Sequence, residues 1–475
     1  MRLLVHPAVL LSLPLLSAAP LASAPCLRPS RAGTQVQGEV RVCPGRYRIA
    51  DPQERGVIIA AASGTRIDLS GVVLESGDSV PGRFTGVGVA SRDVDGVSIL
   101  GGTVRGYRFG IRIEGGRGHR ITGSQLSGSR NDPPRSTSES ADTTDRLDLA
   151  RPDVFLAYGG GLLLVRTTAA TVTGVTATGA ATGIGLVDTR ESYVADNDVS
   201  GNTAWGIHLW RSARNVVARN RADHTVRCIP RTDCRAAAIL LREASDSNTV
   251  AENDLSASST GLLVTGQSPL TRASIGNLAY RNDASNADGA GYAIAYVWNL
   301  TLLENRADSA EQGIRLDHVT GAVVRGNTVI GSREAAIAAE YGRDNAVEAN
   351  ALVDAPIGIR VGAPGARGTR SFGYRIDDNI IGGAEKGIVL QATTGSRVRG
   401  NVFDGVGDGL TVDGVGHGTE VTGNVFLKAR GWFIDAPDLA AGGNFWATTD
   451  ASAASARVRG RVSVLPWRPA AAAGY

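Results

Sequence analysis

The stretch GIRLDHVTGAVVRGNTVIGSREA, residues 313–335, limits what this 475-residue chain can become, because much of the rest repeats its frame. Ile314 and Leu316 alternate with Arg315 and Asp317, as in a strand with one buried face. A Gly326-Asn327 turn and a short Thr-Val-Ile strand complete a unit of 22 to 23 residues in most copies. The frame recurs as GIGLVDTRESYVADND from Gly183, GIHLWRSARNVVARNR from Gly206, GIVLQATTGSRVRGNV from Gly387 and, more loosely, GLTVDGVGHGTEVTGNV from Gly409. Its most regular mark is an asparagine at the second turn, at Asn197, Asn220, Asn253, Asn282, Asn305, Asn327, Asn350, Asn379, Asn401 and Asn424. Intervals of 29 and 33 in this series read as loop insertions. A unit this short cannot bury its own apolar face, so coils must stack on one another.

Helical repeats need two amphipathic helices per unit, whereas these apolar residues alternate, and Gly, Asn, Thr and Val fill each coil. A leucine-rich repeat is the nearer rival, but its Leu-x-x-Leu-x-Leu frame is absent. The expected fold is all-β, a single-stranded right-handed parallel β-helix (solenoid) of about 12–14 coils of roughly 22–23 residues. On these repeats, over roughly residues 36–450, the chain resembles the pectate-lyase-like β-helix superfamily. Within it the repeats resemble the domain shared by carbohydrate-binding proteins, sugar hydrolases and periplasmic copper-associated NosD proteins. That resemblance implies a fold, while function must come from a site on it.

Arg2, the apolar run Leu10 to Leu16 and Ala22-Ser23-Ala24 read as a signal peptide over residues 1–24, and the expected location is secreted or periplasmic. No later stretch has the length and apolarity of a membrane span. The net charge of +3, without a Lys/Arg run, gives no support to a nucleic-acid partner. In an oxidising compartment the four cysteines read as two local disulfides, Cys26 with Cys43 and Cys228 with Cys234, a metal site being the alternative. Residues 25–85 resemble a capping lead-in with the first irregular coils, 86–450 hold the regular coils, and 451–475 form a tail. The period breaks at NDPPRSTSESADTTDRLDLARPD, residues 131–153, a polar insertion that reads as a surface loop or as a substrate-covering lid. The GGNFW segment at Gly442 to Trp446 resembles the last-coil ending of the family.

Outward positions of the Ile-x-Leu strand can be counted coil by coil. His208, Trp210 and Arg211 come first, followed by Leu240, Arg242 and Glu243, by Leu263 and Thr265, and by Ala293, Ala295 and Tyr296. Arg315, Asp317 and His318 follow, then Ala338, Glu340 and Tyr341, and Arg360. Later coils give Val389 and Gln391, then Thr411 and Asp413. Stacked coils about 4.8 Å apart would make the face from His208 to Arg360 one surface about 29 Å long, a length that suits a polymer.

The leading reading is a carbohydrate-active protein with an acidic polysaccharide as partner, in which Arg315, Asp317, His318 and Glu340 of this outward face are the catalytic group. His208, Trp210, Arg211, Arg242, Tyr296, Tyr341 and Arg360 would be the binding residues. In elimination or epimerisation at a uronate, Arg242, Arg315 or Arg360 would neutralise the carboxylate, and His318 or Tyr341 would take the carbon-bound proton. In hydrolysis, Asp317 and Glu340 would serve as acid and base. The alternative is a non-catalytic NosD-like accessory or surface-binding protein, in which Arg315, Asp317 and Glu340 form an ion-pair ladder.

The turn asparagines read as a structural amide ladder. No cofactor is implied. Asp196, Asp198, Asp377 and Asp378 raise calcium as a possibility, but the nine-residue calcium-binding repeat is missing. The absence of methionine beyond Met1 and of paired histidines weakens copper handling.

Overall fold

A computed structural model describes residues 26–466, apart from 138, 141, 150–153, 228–233, 267–271, 363–370, 414–417 and 449. The expected signal peptide and Cys228 lie outside the described residues. The chain is a right-handed parallel β-helix with three faces. The first sheet has 17 strands, from Thr34–Val36 to Val458–Ser463, and the second has 15, from Glu39–Arg41 to Glu420–Thr422. The third face begins as three strands, Gly45–Arg48, Val72–Glu75 and Thr103–Arg105, and ends as five, from Thr328–Ile330 to Val425–Ala429. Single-residue parallel bridges from Thr103–Gln125 through Arg306–Thr328 join those two parts.

The strand count exceeds the expected 12–14 coils, because coils lacking the Gly-Ile-x-Leu frame stack as well. Parallel pairing joins residues 34–36 to 58–60, 39–41 to 66–68 and 45–48 to 72–75, and Ile434 to Val458 near the other end. Ile58 also pairs with Val89, so the stacking runs on past residue 86 as it does past residue 450. Helix among the described residues is confined to the short segments Val154–Tyr158 and Ala451–Ser455 and two 3-10 turns.

The frame residues explain the stacking. Ile314 and Leu316 are buried in register with Ile337 and Ala339 of the next coil, while Val324 and Val329 close the same core from the other faces. Glycine precedes the frame isoleucine for lack of room: a Cβ on Gly313 would lie 2.4 Å from Val329 Cγ1 and 2.6 Å from the Ala336 carbonyl oxygen.

The asparagine ladder is present. From Asn197 to Asn424, each backbone N–H and each Nδ2 donates to Oδ1 of the asparagine one coil on, as Asn327 does to Asn350 at 2.9 and 3.0 Å. Asn444 of the GGNFW segment accepts the last link. A second, shorter ladder, Asn215 to Asn248 to Asn277, runs along the preceding turn. Cys26 and Cys43 form a disulfide with Cα atoms 4.9 Å apart. Cys234 is also disulfide-bonded, but its expected pairing with Cys228 falls outside the described residues.

Candidate functional site

The register on the first sheet follows the frame. Trp210 pairs with Arg242, Arg242 with Thr265, Thr265 with Ala295, Ala295 with Asp317 and Asp317 with Glu340. His208, Leu240, Leu263, Ala293, Arg315, Ala338 and Arg360 form the parallel row. The positions are as expected, but the single open groove is not. The face divides into a covered part and an open part.

Over the strands from Val87–Arg92 to Ala237–Arg242, a second layer covers the outward face. Leu147 and Leu149 of the 131–158 insertion pack with Leu163, Val165, Trp205, Trp210 and Leu240 in a hydrophobic cluster separate from the helix core. The insertion is fastened by polar contacts. Arg227 Nε donates to the Asp145 carbonyl at 2.6 Å, the Leu147 N–H to the Cys234 carbonyl at 3.0 Å, and Arg242 Nη1 to the Leu149 carbonyl.

Three expected binding residues are thereby taken out of solvent. His208 is fully buried against the Trp205 ring, and burial, then the Arg242 charge, push its imidazole well below its usual range. Burial likewise lowers the Arg242 guanidinium against the opposing pull of Glu243. Trp210 is 7% exposed, with Arg211 and Arg242 over its ring at 4.3 and 4.8 Å and its indole N–H donated to Glu243, so no face is left for a sugar. Arg211 remains at the surface, paired with Asp188 at 2.9 Å. A loop reading of the insertion was thus too weak, because its leucines anchor it to apolar outward residues.

The open part begins where the insertion ends. A cleft of about 490 Å³ lies over Leu262–Thr265, Ala290–Ala295 and Gln312–Asp317, with Leu149, Cys234, Arg235 and Ala236 along one edge. Thr265, Tyr296, Arg315, Asp317 and Glu334 line it. Arg360, 11% exposed in its side chain, bridges Glu334 at 2.7 Å and Glu340 at 3.3 Å. Gln312 Nε2 donates to the other Glu334 oxygen at 2.6 Å. Burial raises the Glu334 carboxyl, but the hydrogen bonds from Gln312 and Arg360 and the charges of Arg360 and Arg315 outweigh it and hold the group below its usual range.

Beside this network, His318 Nδ1 lies 2.7 Å from Asp317 Oδ1. The imidazole is stacked between Tyr296 at 4.7 Å and Tyr341 at 4.8 Å. The stack has a backbone cause: all three residues follow their strands in the left-handed conformation, with φ of 55, 53 and 52° for Tyr296, His318 and Tyr341. Burial, then the Asp317 charge, raise the Tyr296 phenol, so it stays protonated and able to donate.

The expected acid pair is arranged differently from a shared-proton dyad. Asp317 and Glu340 are register neighbours, but Asp317 faces His318 and Glu340 faces Arg360. Glu334 and Gln312 were missed by counting outward strand positions. The signal available was a glutamate recurring two residues before the frame glycine position, at Glu311, Glu334 and Glu385.

Three of the four acidic turn residues raised for calcium carry arginine partners. Asp196 is bonded by Arg219 at 2.9 Å, Asp198 lies 3.7 Å from Arg221, and Asp377 pairs with Arg397. Among the described residues no group of three His, Cys, Asp or Glu side chains is arranged to hold a metal ion.

Solved structures with similar architecture are only 12 to 13% identical to this chain. PfbA, a surface adhesin of Streptococcus pneumoniae, is 12% identical over 83% of this chain and 84% of its own, with a TM-score of 0.41. The Azotobacter vinelandii mannuronan C-5 epimerase AlgE6 A-module is 13% identical over 82% and 90%, with a TM-score of 0.41. A variant of the periplasmic alginate epimerase AlgG gives 13% over 82% and 84%, also at 0.41. No curated protein sequence matches the chain. The family model described as periplasmic copper-binding protein (NosD) matches residues 61–283 and again 231–369, together more than half of the chain. With its coils stacked across both matched segments, the chain belongs to the NosD family.

Proposed function

We propose that this protein binds an acidic polysaccharide in the open cleft of the first sheet and acts on it by elimination or epimerisation at a uronate. One observation carries the reading. Arg315 is exposed at the cleft floor, two residues before an Asp317–His318 pair whose imidazole is stacked between two tyrosines.

Arg315 answers a sugar carboxylate by charge-assisted hydrogen bonds, which lowers the cost of the carbanion that forms when the neighbouring carbon loses its proton. His318 is the base: Asp317 at Nδ1 fixes the ring orientation and stabilises the imidazolium that forms. Tyr296, kept protonated, donates toward the leaving or re-protonated position. Elimination then expels the ring substituent beside the carbanion, whereas epimerisation returns a proton to the opposite face. Hydrolysis is less well served, because it needs one carboxyl kept protonated next to one ionised. Here Glu340 has Arg360 and Asp317 has His318 as separate partners.

The family description names copper, and the donors in this chain do not suit it. Met1 is the sole methionine, Cys26 and Cys43 are joined to each other, Cys234 is also in a disulfide, and His318 and His224 each face a neighbouring aspartate. The test is an activity screen of the exported chain on alginate, pectate and glycosaminoglycans. Unsaturated products are followed by ultraviolet absorbance, epimerisation by proton exchange with solvent, and binding by calorimetry. Binding without turnover would leave the non-catalytic alternative, and no binding would overturn the reading.

A further inference from the structure

The open cleft is walled at one end by the covered part of the same sheet. Leu147 is fully buried and Leu149 nearly so, and the Leu149 carbonyl is held by Arg242. Leu149, Cys234, Arg235 and Ala236 form the edge that faces the cleft. The Trp205 indole N–H donates to the Arg235 carbonyl at 3.0 Å, tying that edge to the layer beneath.

In the other direction the outward rows carry Arg315, Asp317, Glu340, Arg360, Gln391, Thr411 and Asp413, with the apolar Ala338 and Val389 between them. A second cleft of about 360 Å³ lies there over Lys386, Gln391, Thr411 and Asp413. In it Gln391 Oε1 and Thr411 Oγ1 are buried without a hydrogen-bond partner among the described residues.

The geometry points to a site that receives the end of a polysaccharide chain rather than its middle, the terminal sugars abutting the Leu149–Arg235 wall and the rest running toward the Gln391–Thr411 cleft. This rests on the polysaccharide reading above. A mid-chain segment laid across the coils would have to pass over Ala237–Arg242, where the outward side chains are covered by the insertion. Asp317 lies three strands beyond that one, about 14 Å at 4.8 Å per coil, so only a short terminal piece fits between wall and base.

The experiment uses the unaltered protein and a uronic-acid polymer that it binds, cut to several chain lengths. Bound protein per polymer chain is measured by sedimentation. End recognition predicts a number per chain that stays constant as length increases severalfold, and short products released from the start of any turnover. A number that rises in proportion to length overturns end recognition and leaves the polysaccharide reading standing. Failure to bind any acidic polysaccharide overturns both. Replacing residues 132–157 by a short Gly-Ser link is expected to shift binding toward proportionality. Should that variant fail to fold, the stoichiometry of the unaltered chain decides.

Discussion

Two regions of one sheet share a frame and a register and differ in everything that matters to a ligand. From Val87–Arg92 to Ala237–Arg242, the outward positions include Leu163, Val165, Trp210 and Leu240 and lie under the insertion. From Leu262–Thr265 onward they include Thr265, Arg315, Asp317, Glu340 and Gln391 and border open clefts. An outward side chain in a β-helix is therefore not always an exposed one. Its fate is decided by whether a distant segment carries the apolar residues to cover it.

The largest expected effect lies in the covered region. Trp205 is fully buried against His208 and Tyr158, so Trp205→Ala should cost about 3–5 kcal/mol in denaturant unfolding. A loss below about 1 kcal/mol would mean that the insertion is not packed there. Next comes a test of what the regions have in common. Asn220→Ala in the covered region and Asn379→Ala in the open one should each cost about 1–3 kcal/mol, because each leaves buried ladder partners unsatisfied. A clear inequality would show that the coils are held in register differently in the two halves.

In the open region, Arg315→Ala should leave unfolding within about 0.5 kcal/mol of the parent. It should weaken polysaccharide binding by about 1.5–3 kcal/mol, roughly ten- to a hundred-fold. Loss of stability without loss of binding would assign Arg315 to an ion-pair ladder. The smallest effect concerns Glu334, whose folded carboxyl sits below its ordinary value of 4.5. A depressed group contributes stability that is present above the unfolded value and lost as pH falls through the folded one. Glu334→Gln should therefore lower stability slightly at neutral pH, converge on the parent as pH falls, and so flatten the acid limb below about pH 4.5. An unchanged acid limb would show that Gln312 and Arg360 do not favour the ionised form.

Particular residues show how much was legible. The pairing of Asp317 with Glu340, the alternation of Ile314 and Leu316 with Arg315, and the Asn197–Asn424 ladder all follow from period and pattern. Asn444 could have been added, since it stands 20 residues after Asn424 in a turn of the same kind. His208, Trp210 and Arg242 stand at the counted outward positions yet are buried, because counting positions gives direction and not depth. Glu334 escaped because it reaches the site from a turn rather than a strand, through Gln312 and Arg360 of the neighbouring coils.

The sequence by itself determined the solenoid, its register and the row on which the candidate chemistry lies. Period and alternation act locally, and each coil can bury its face only on a copy of itself. Only the tertiary structure decided where that row is open. The insertion at 131–158 reaches the Ala237–Arg242 coil across nearly a hundred residues, through Leu147, Leu149 and the carbonyls that Arg227 and Arg242 hold. Such contacts depend on where separate segments meet in space, which no repeat period encodes.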